Sequence, residues 1–424
     1  MKTFSIQTLG CKVNAYESEY YRQCLIEAGY SETETFEDCD LVVINTCTVT
    51  NQASFKSRQR IHQAKKHNPT AKLVVVGCYV QSDHAELSEK YAIDLLIGSS
   101  QKDQFASLIA QLDTKPEADY RLNKTFEALP IHGFKHKTRA YVKIQDGCNQ
   151  FCSYCIIPYT RGRERSLDPE SVIQQINVLA LDHHEIVLAG IHTGKYGSDI
   201  GTDLAHLLSR ILRETPVQRV RLSSIDINEV TDELIEVLKD PRMARHLHIS
   251  LQSGDDAVLL AMNRPYTTAG FKERVRAIRW AIPNISISTD IIVGFSTETE
   301  EAFENTVAFA SELGFSFIHV FPFSVRKHTK AAQMSQLNSE AVKKERVHRI
   351  GDLSKQLQLH RFERLVGTPV EVLIEHRDGR GDHGYSSAYD AVCVQSEPPL
   401  HGIIRAVVTG YDSETLIAQP YETQ

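Results

Sequence analysis

Short apolar runs alternate with longer amphipathic segments through most of the 424-residue chain. In the amino-terminal part the apolar runs are 4–9, 41–44, 73–76 and 95–97, and helical spacing fills 17–28 and 52–67. Runs of this length are typical of buried parallel strands. Their alternation with helices predicts an open, doubly wound α/β sheet in this region.

A second series of apolar runs follows a break at 113–133 that contains Pro116 and Pro130 and is typical of a linker. Its six candidate strands predict a partial or complete (β/α) barrel whose working face lies at the carboxyl ends of the strands: 140–144, 185–188, 219–222, 247–251, 286–293 and 317–321. After Gly367, the runs 369–374 and 402–409 indicate a small β-barrel. We therefore predict an α/β protein with domains at 1–115, 134–366 and 367–424.

The amino terminus lacks the apolar stretch of a signal peptide, and no run is long enough to span a bilayer. We therefore expect a cytoplasmic protein with no membrane partner. In a reducing compartment, nine cysteines indicate metal binding or catalysis rather than a disulfide framework.

Three cysteines stand close together directly after the first strand of the second series. Cys148, Cys152 and Cys155 form a CxxxCxxC motif and can converge on one metal centre. A closed zinc site needs four ligands, and no nearby Cys or His supplies the fourth. A four-iron cluster held by three thiolates leaves one iron free for a substrate or cofactor. A zinc knuckle and chance spacing are the alternatives.

Three further cysteines, Cys11, Cys47 and Cys78, each directly follow an apolar strand of the first series. Because the carboxyl ends of parallel strands lie along one edge of a sheet, we expect these thiols to lie close together. One buried cysteine at a strand end is common in a protein core. Three at equivalent positions favour a second metal or cluster site, whereas Cys24, Cys39 and Cys393 are predicted to be structural.

The cysteine motifs and their surroundings resemble a known enzyme family. The segment CNQFCSYC at 148–155 and the residues that follow it, 156–163, are similar to the radical S-adenosylmethionine methylthiotransferases. Cys11, Cys47 and Cys78 resemble the ligands of that family's amino-terminal cluster domain, and the last domain resembles its TRAM module. Residues 8–14 and 161–166 are most similar to the branch that modifies N6-threonylcarbamoyladenosine next to the anticodon of tRNA.

This resemblance implies a 2-methylthio group installed on adenine by radical chemistry. It implies two [4Fe–4S] clusters, one held by Cys148, Cys152 and Cys155 and binding S-adenosylmethionine, the other held by Cys11, Cys47 and Cys78 and presenting sulfur. A second S-adenosylmethionine would supply the methyl group. The implied partners are tRNA, a flavodoxin- or ferredoxin-like reductant and a sulfur source.

Several residues near the first cysteine motif or after later barrel strands are candidates for binding the cofactor, because a barrel places ligand contacts there. They are Tyr154, Gly190, His192, Ser223, Gln252, Ser253 and Arg264. Tyr154 resembles an aromatic that packs near adenine, or it shields the cluster. The glycines at 190–194 either let backbone approach the methionine group or form a plain turn. Arg264 is a carboxylate or phosphate partner, or a surface residue.

The charge distribution favours RNA more than the net charge of −7 does. Residues 41–82 contain no Asp or Glu and six cations, namely Lys56, Arg58, Arg60, Lys65, Lys66 and Lys72. Arg161, Arg163 and Arg165 form a second basic group. We predict that these residues contact phosphates, although a solvated helix face is the common reason for such a run. Residues 368–424 carry three Arg and no Lys against nine acidic residues, so the last domain is expected to act in packing or shape recognition.

Three alternatives stay open from the sequence. The same chemistry is used on a ribosomal-protein side chain and on isopentenyladenosine in tRNA by other branches of the family. A zinc-dependent RNA-binding protein is the non-enzymatic alternative. The basic segment 41–82 favours an RNA substrate over a protein substrate.

Overall fold

The computed structural model of the protein describes residues 2–114, 116 and 119–421. Its amino-terminal part is an open sheet of five parallel strands in the order β2-β1-β3-β4-β5. The strands are β1 (Thr3–Thr8), β2 (Ser31–Glu32), β3 (Leu41–Thr46), β4 (Lys72–Gly77) and β5 (Leu95–Ile97). The helices are α1 (Lys12–Glu27), α2 (Asn51–His67), α3 (Cys78–Lys90) and α4 (Phe105–Ala110), followed by a 3-10 turn at Leu112–Thr114. Every residue of β3 is buried, as expected for a strand covered by helices on both faces.

The central part alternates strands and helices. In chain order its elements are β6 (Arg139–Lys143), β7 (Gln145–Asp146), α5 (Ile157–Arg161), β8 (Arg165–Ser166), α6 (Pro169–Leu179), β9 (Glu185–Ala189), α7 (Leu204–Glu214), β10 (Arg219–Leu222), α8 (Asp232–Leu238), β11 (His246–His248), α9 (Asp256–Ala261), α10 (Thr268–Ala281), β12 (Ser286–Val293), α11 (Glu300–Leu313), β13 (Phe317–Pro322) and α12 (Glu340–Leu365). The 3-10 turns are Thr193–Lys195, Ile227–Glu229 and Lys330–Gln333.

Six of these strands form a partial barrel. The parallel sheets β6-β9-β10 and β11-β12-β13 are joined by isolated bridges, Val220 to Met243 and Ile225 to Ile249. Among the described residues, no strand pairing connects β6 to β13, so the barrel is open on one side. The predicted strand 247–251 is shorter in the structure, because beyond His248 the chain keeps only isolated bridges to its neighbours.

The carboxyl-terminal part is a closed five-stranded barrel in the order β14-β15-β16-β18-β17. Its strands are β14 (Pro369–Asp378), β15 (Gly381–Ser386), β16 (Ala391–Val394), β17 (Ile403–Tyr411) and β18 (Leu416–Pro420). The predicted small β-barrel is confirmed, with three strands more than the sequence pattern revealed. It packs under the central barrel, where Arg221 donates hydrogen bonds to the carbonyls of Ser386 and Ser387 and its guanidinium lies 4.7 Å from the Tyr389 ring centroid.

The predicted α/β fold class is therefore confirmed. No helix among the residues that the structure describes combines the length and the apolar character needed to cross a membrane.

Candidate iron–sulfur sites

The three dispersed cysteines lie at one edge of the amino-terminal sheet. Cys11 joins β1 to α1, Cys47 follows β3, and Cys78 begins α3 directly after β4. Cys11 is exposed, whereas Cys47 and Cys78 are buried. Burial, together with the nearby Cys78 and Cys11, raises the pKa of Cys47 to about 12. The structure thus brings the three thiols within electrostatic reach of one another.

Glycines before two of these cysteines make the close approach possible. Gly10 has φ +108°, and a Cβ there would lie 3.0 Å from the Cβ and 3.3 Å from the Sγ of Cys47. Gly77 has φ +101°, and a Cβ there would lie 2.7 Å from the carbonyl oxygen of Thr46. A side chain at either position would strain the backbone and displace a thiol. The Gly-Cys pairs in the sequence are therefore part of the site's construction.

The other three cysteines lie in the loop between β7 and α5. The Cys148 Sγ lies 3.4 Å from His192 Nδ1, and the Arg264 guanidinium donates to the Cys152 Sγ at 3.3 Å. Burial, together with the neighbouring Cys152 and Cys148, raises the pKa of Cys155 to about 12. The loop is held by close packing, since a Cβ on Gly147 would lie 1.9 Å from the carbonyl oxygen of Arg163.

The spacing of the thiols fits multi-iron clusters better than single zinc ions. Among the described residues, the sole set of three possible ligand groups within 4.8 Å of one another is Cys148, Glu164 and His192. Neither cysteine triad is that compact, whereas sulfurs around one zinc lie only about 4 Å apart. Thiols with a raised pKa also need a cationic centre to become thiolates. Both triads therefore fit three-thiolate iron–sulfur clusters with one iron left free.

The turn after β9 brings a side chain, rather than bare backbone, to the cysteine loop. The imidazole of His192 contacts Cys148, and its Nε2 lies 2.6 Å from Glu229 Oε1. A Cβ on Gly194 would lie 2.0 Å from Glu229, so this glycine admits the carboxylate. Gly190 packs against Thr193 and Gln145, where a Cβ would lie 3.0 Å and 3.1 Å from their side chains. His192 is thus placed to orient the Cys148 side chain and to affect the basicity of its sulfur.

The remaining candidate cofactor residues take different positions. Ser223 shares a 2.7 Å hydrogen bond with Thr193, and Gln252 adopts φ +68° beside the barrel strands. The Ser253 hydroxyl lies 3.3 Å from the hydroxyl of Thr306 on α11, so this hydrogen bond ties the Ser253 side chain to α11. The Tyr154 ring packs edge-to-face against Phe295 at 6.5 Å between centroids.

Arg264 is not a surface residue. Its guanidinium is buried, pairs with Asp226 at 2.5 Å and contacts Cys152 at 3.3 Å. Asp226, the partner of Arg264, and Glu229 and Glu164, the partners of His192, were not predicted as site residues. Isolated acidic residues in loops are common, and the convergence of these three depends on the fold.

A buried arginine of the barrel contacts the amino-terminal cysteine set. Arg161, at the end of α5, donates from Nε to the Cys78 Sγ at 3.1 Å. Its other nitrogens donate to Glu17 at 3.0 Å, Asp146 at 3.2 Å and Asn14 at 2.8 Å. The Arg161 side chain is 1% exposed. Arg161 thus belongs to the interface between the amino-terminal domain and the barrel and touches a predicted cluster ligand there.

More charges are buried around this arginine. Lys102 and Lys143 reach Glu17 at 2.7 Å and 3.2 Å, and Arg165 lies 3.5 Å from Asp146. Burial raises the pKa of Glu17, but the charges of Arg161, Lys102 and Lys143 outweigh burial and hold it well below its ordinary value. The expectation that Arg161 and Arg165 contact RNA phosphates is therefore wrong, because both are buried in this ion network.

The other predicted phosphate-binding residues divide into two groups. Lys56, Arg60 and Lys66 are exposed on α2, and Arg163 is exposed with its guanidinium 4.8 Å from the Phe151 ring centroid. The other two residues, Arg58 and Lys65, form hydrogen bonds within the protein. Arg58 donates to the Tyr79 hydroxyl at 3.0 Å, and Lys65 donates to the Ala71 carbonyl at 2.9 Å. Lys56, Arg60 and Lys66 form a basic face on α2, the helix that follows Cys47.

Comparisons with known proteins agree with this geometry. Residues 3–98 match the model of the uncharacterized protein family UPF0004, and residues 142–310 match the radical SAM superfamily. A Bacillus subtilis (strain 168) protein named threonylcarbamoyladenosine tRNA methylthiotransferase MtaB is 41% identical over 95% of this chain and 93% of its own length. A tRNA-2-methylthio-N(6)-dimethylallyladenosine synthase from Thermoanaerobacter sp. (strain X514) is 35% identical over 88% of this chain and 82% of its own.

Solved structures support the fold. The radical S-adenosylmethionine methyltransferase TsrM from Kitasatospora setae, with cobalamin and a [4Fe–4S] cluster bound, superimposes with a TM-score of 0.58 at 14% identity, covering 78% of this chain and 74% of that chain. At this identity the likeness concerns the fold alone. With the curated relatives matching almost end to end, the chain belongs to the radical S-adenosylmethionine methylthiotransferase family.

Proposed function

We propose that this protein adds a methylthio group to C2 of N6-threonylcarbamoyladenosine next to the anticodon of tRNA. The observation that carries the proposal is the placement of two cysteine triads on either side of one buried interface. Arg161 touches Cys78 of one triad and ends the helix that follows the loop of the other. The relatives that match over most of the chain are named for this modification.

The residues present account for binding and orientation. Cys148, Cys152 and Cys155 would hold one [4Fe–4S] cluster, and Cys11, Cys47 and Cys78 the other. When bound, the clusters and S-adenosylmethionine supply the radical that breaks an unactivated C–H bond, and also the sulfur and the methyl group. The protein's own contribution is to hold the two triads in fixed positions, and the buried ion network excludes water from the interface beside Cys78.

The chemistry needs partners from outside the chain. We propose a flavodoxin- or ferredoxin-like reductant and a separate sulfur source, because none of the described residues supplies electrons or transferable sulfur. We also propose that the activity is cytoplasmic, because its proposed substrate is tRNA.

The direct test is a product assay. Anaerobically reconstituted enzyme is incubated with S-adenosylmethionine, dithionite, sulfide and tRNA that carries threonylcarbamoyladenosine but no methylthio group, and the digested nucleosides are analysed by mass spectrometry. We expect the methylthio derivative of threonylcarbamoyladenosine. Product on isopentenyladenosine tRNA or on a ribosomal protein, with none on threonylcarbamoyladenosine tRNA, would contradict the proposal.

The basic face of α2 should contribute nonspecific affinity for tRNA. Changing Lys56 and Lys66 to glutamine should weaken binding to all tRNAs alike and lower the slope of log affinity against log salt by about 1.5, because each phosphate contact releases counterions. The matched control changes Lys344 and Lys355, two exposed lysines of α12, to glutamine. Equal salt slopes for the two double variants would show that α2 does not face the RNA.

A further inference from the structure

The buried ion network beside Cys78 contains more cations than carboxylates. None of its side chains is more than 3% exposed, and its members are Glu17, Lys102, Lys143, Asp146, Arg161 and Arg165. Among the described residues, no other carboxylate lies within ion-pair distance of these four cations. Four cations thus face two carboxylates, which leaves an excess of two positive charges in the interior.

A third carboxyl group near the network does not remove this excess. Glu127 accepts a hydrogen bond from the backbone N–H of Lys102 at 3.0 Å, and burial raises the pKa of its carboxyl group. Even with Glu127 fully ionised, the cations would outnumber the carboxylates by one. A buried charge without a counter-charge is strongly unfavourable, so the network requires a further anionic partner.

The amino-terminal cysteine triad is the place where this partner can bind. Arg161 Nε donates to the Cys78 Sγ at 3.1 Å, and both side chains are buried. The Asn14 Oδ1 accepts from Arg161 at 2.8 Å and lies 3.7 Å from the Cys11 Sγ. Cysteines that bind a metal centre do so as thiolates, which are anionic. A cluster held by this triad would therefore place negative charge directly against the guanidinium.

The barrel triad has different electrostatic surroundings. Its two cationic neighbours, Arg264 and His192, each have carboxylate partners. Arg264 pairs with Asp226 at 2.5 Å. His192 lies 3.4 Å from Glu164 and 2.6 Å from Glu229. Even with a protonated imidazole, two cations face three carboxylates here, so the net charge beside the two triads differs in sign.

We propose that the ion network supplies, through Arg161, the counter-charge of the amino-terminal cluster. It thereby raises the reduction potential of that cluster above the potential of the barrel cluster. Reduction adds one negative charge to a cluster, and nearby positive charge and hydrogen bonds to the sulfurs favour the reduced form. The amino-terminal cluster is then the electron acceptor of the pair, and the barrel cluster is the stronger reductant for S-adenosylmethionine. This inference rests on the proposed pair of clusters.

The test measures the reduction potential of each cluster separately. Two full-length variants, each with one cysteine triad changed to alanine, keep one cluster each after anaerobic reconstitution. Redox titration followed by electron paramagnetic resonance gives the midpoint potentials. We expect the amino-terminal cluster to have the higher potential by about 59 mV or more, a tenfold difference in the one-electron reduction constant. Equal potentials, or a higher potential for the barrel cluster, would overturn the proposal.

Substitutions in the network test its residues directly. In the protein that keeps only the amino-terminal cluster, Arg161→Gln should lower the midpoint potential by about 59 mV, a tenfold change. Arg161→Lys should recover part of this loss, because an ammonium restores the charge without the geometry of the guanidinium. Arg165→Gln removes a network charge that does not contact Cys78 and should have a smaller effect in the same direction. Arg163→Gln is the control, since Arg163 is exposed and should leave the potential unchanged.

An unchanged potential in both Arg161→Gln and Arg165→Gln would mean that the network does not act on the cluster, which contradicts the proposal. Should Arg161→Gln fail to bind iron, Arg165→Gln and the comparison of the two clusters still decide the question. Failure of the proposed function would be observed differently, as wild-type protein without iron at the amino-terminal triad or without methylthio product on the modified tRNA.

Discussion

Changing Cys148, Cys152 and Cys155 together to alanine should abolish the methylthio product and lower bound iron from about eight to about four atoms per chain. The reason is that the two triads lie on separate elements of separate domains, so the loss of one leaves the ligands of the other in place. Iron and acid-labile sulfide per chain, measured after anaerobic reconstitution, report the change directly.

The complementary variant changes Cys11, Cys47 and Cys78 to alanine and should also retain about four irons. It should still cleave S-adenosylmethionine reductively but insert no sulfur. Cys24→Ala is the control, since Cys24 lies on α1 away from both triads and should leave the iron content unchanged. Zinc near stoichiometry with no iron in the wild-type protein would contradict the whole assignment, and iron lost only with the barrel triad would remove the second cluster.

The second large effect is expected at the domain interface. Arg161→Met removes the guanidinium that bonds Glu17, Asp146, Asn14 and Cys78. Leaving buried carboxylates without this partner costs about 3–5 kcal/mol, which corresponds to a fall in the unfolding temperature of about 10 °C for a domain of this size. Differential scanning calorimetry of the apoprotein measures this without any need for cofactors.

The control for this variant is Arg163→Met, two positions along the chain. Arg163 is exposed and rests on the Phe151 ring, so its loss should cost less than about 1 kcal/mol. Arg161→Lys should recover only part of the stability, because an ammonium cannot reach four partners with the geometry of a guanidinium. If Arg161→Met and Arg163→Met unfold at the same temperature, the ion network does not hold the domains together.

Much of the fold could be predicted from local patterns. The strands predicted at 41–44, 73–76 and 219–222 lie within or match observed strands, because buried parallel strands are short continuous apolar runs. In the last domain only two of five strands were predicted, because β15 contains glycine, histidine and aspartate, and the apolar runs of β16 and β18 are only four and three residues long. Closure of that barrel depends on long-range pairing that a local pattern does not encode.

The basic residues show the limit most clearly. Arg161, Arg163 and Arg165 are spaced by two in the sequence, and their charge alone predicted one function for all three. The structure exposes Arg163 and buries the other two, because at the domain interface Arg161 pairs with Glu17 and Asp146 and Arg165 pairs with Asp146. Which side of a segment meets another domain is decided by docking, and docking leaves no period in the sequence of the segment itself.

The sequence by itself determined the α/β class, the alternation of strands and helices, and the six cysteines at strand ends and in one loop, since these follow from local hydrophobic period and ligand spacing. Only the tertiary structure decided that Arg161 is a buried link rather than a phosphate contact, and that His192 and Arg264 lie against cysteines. These contacts join residues far apart in the chain, and their energies come from burial and charge pairing that exist only after the domains have packed.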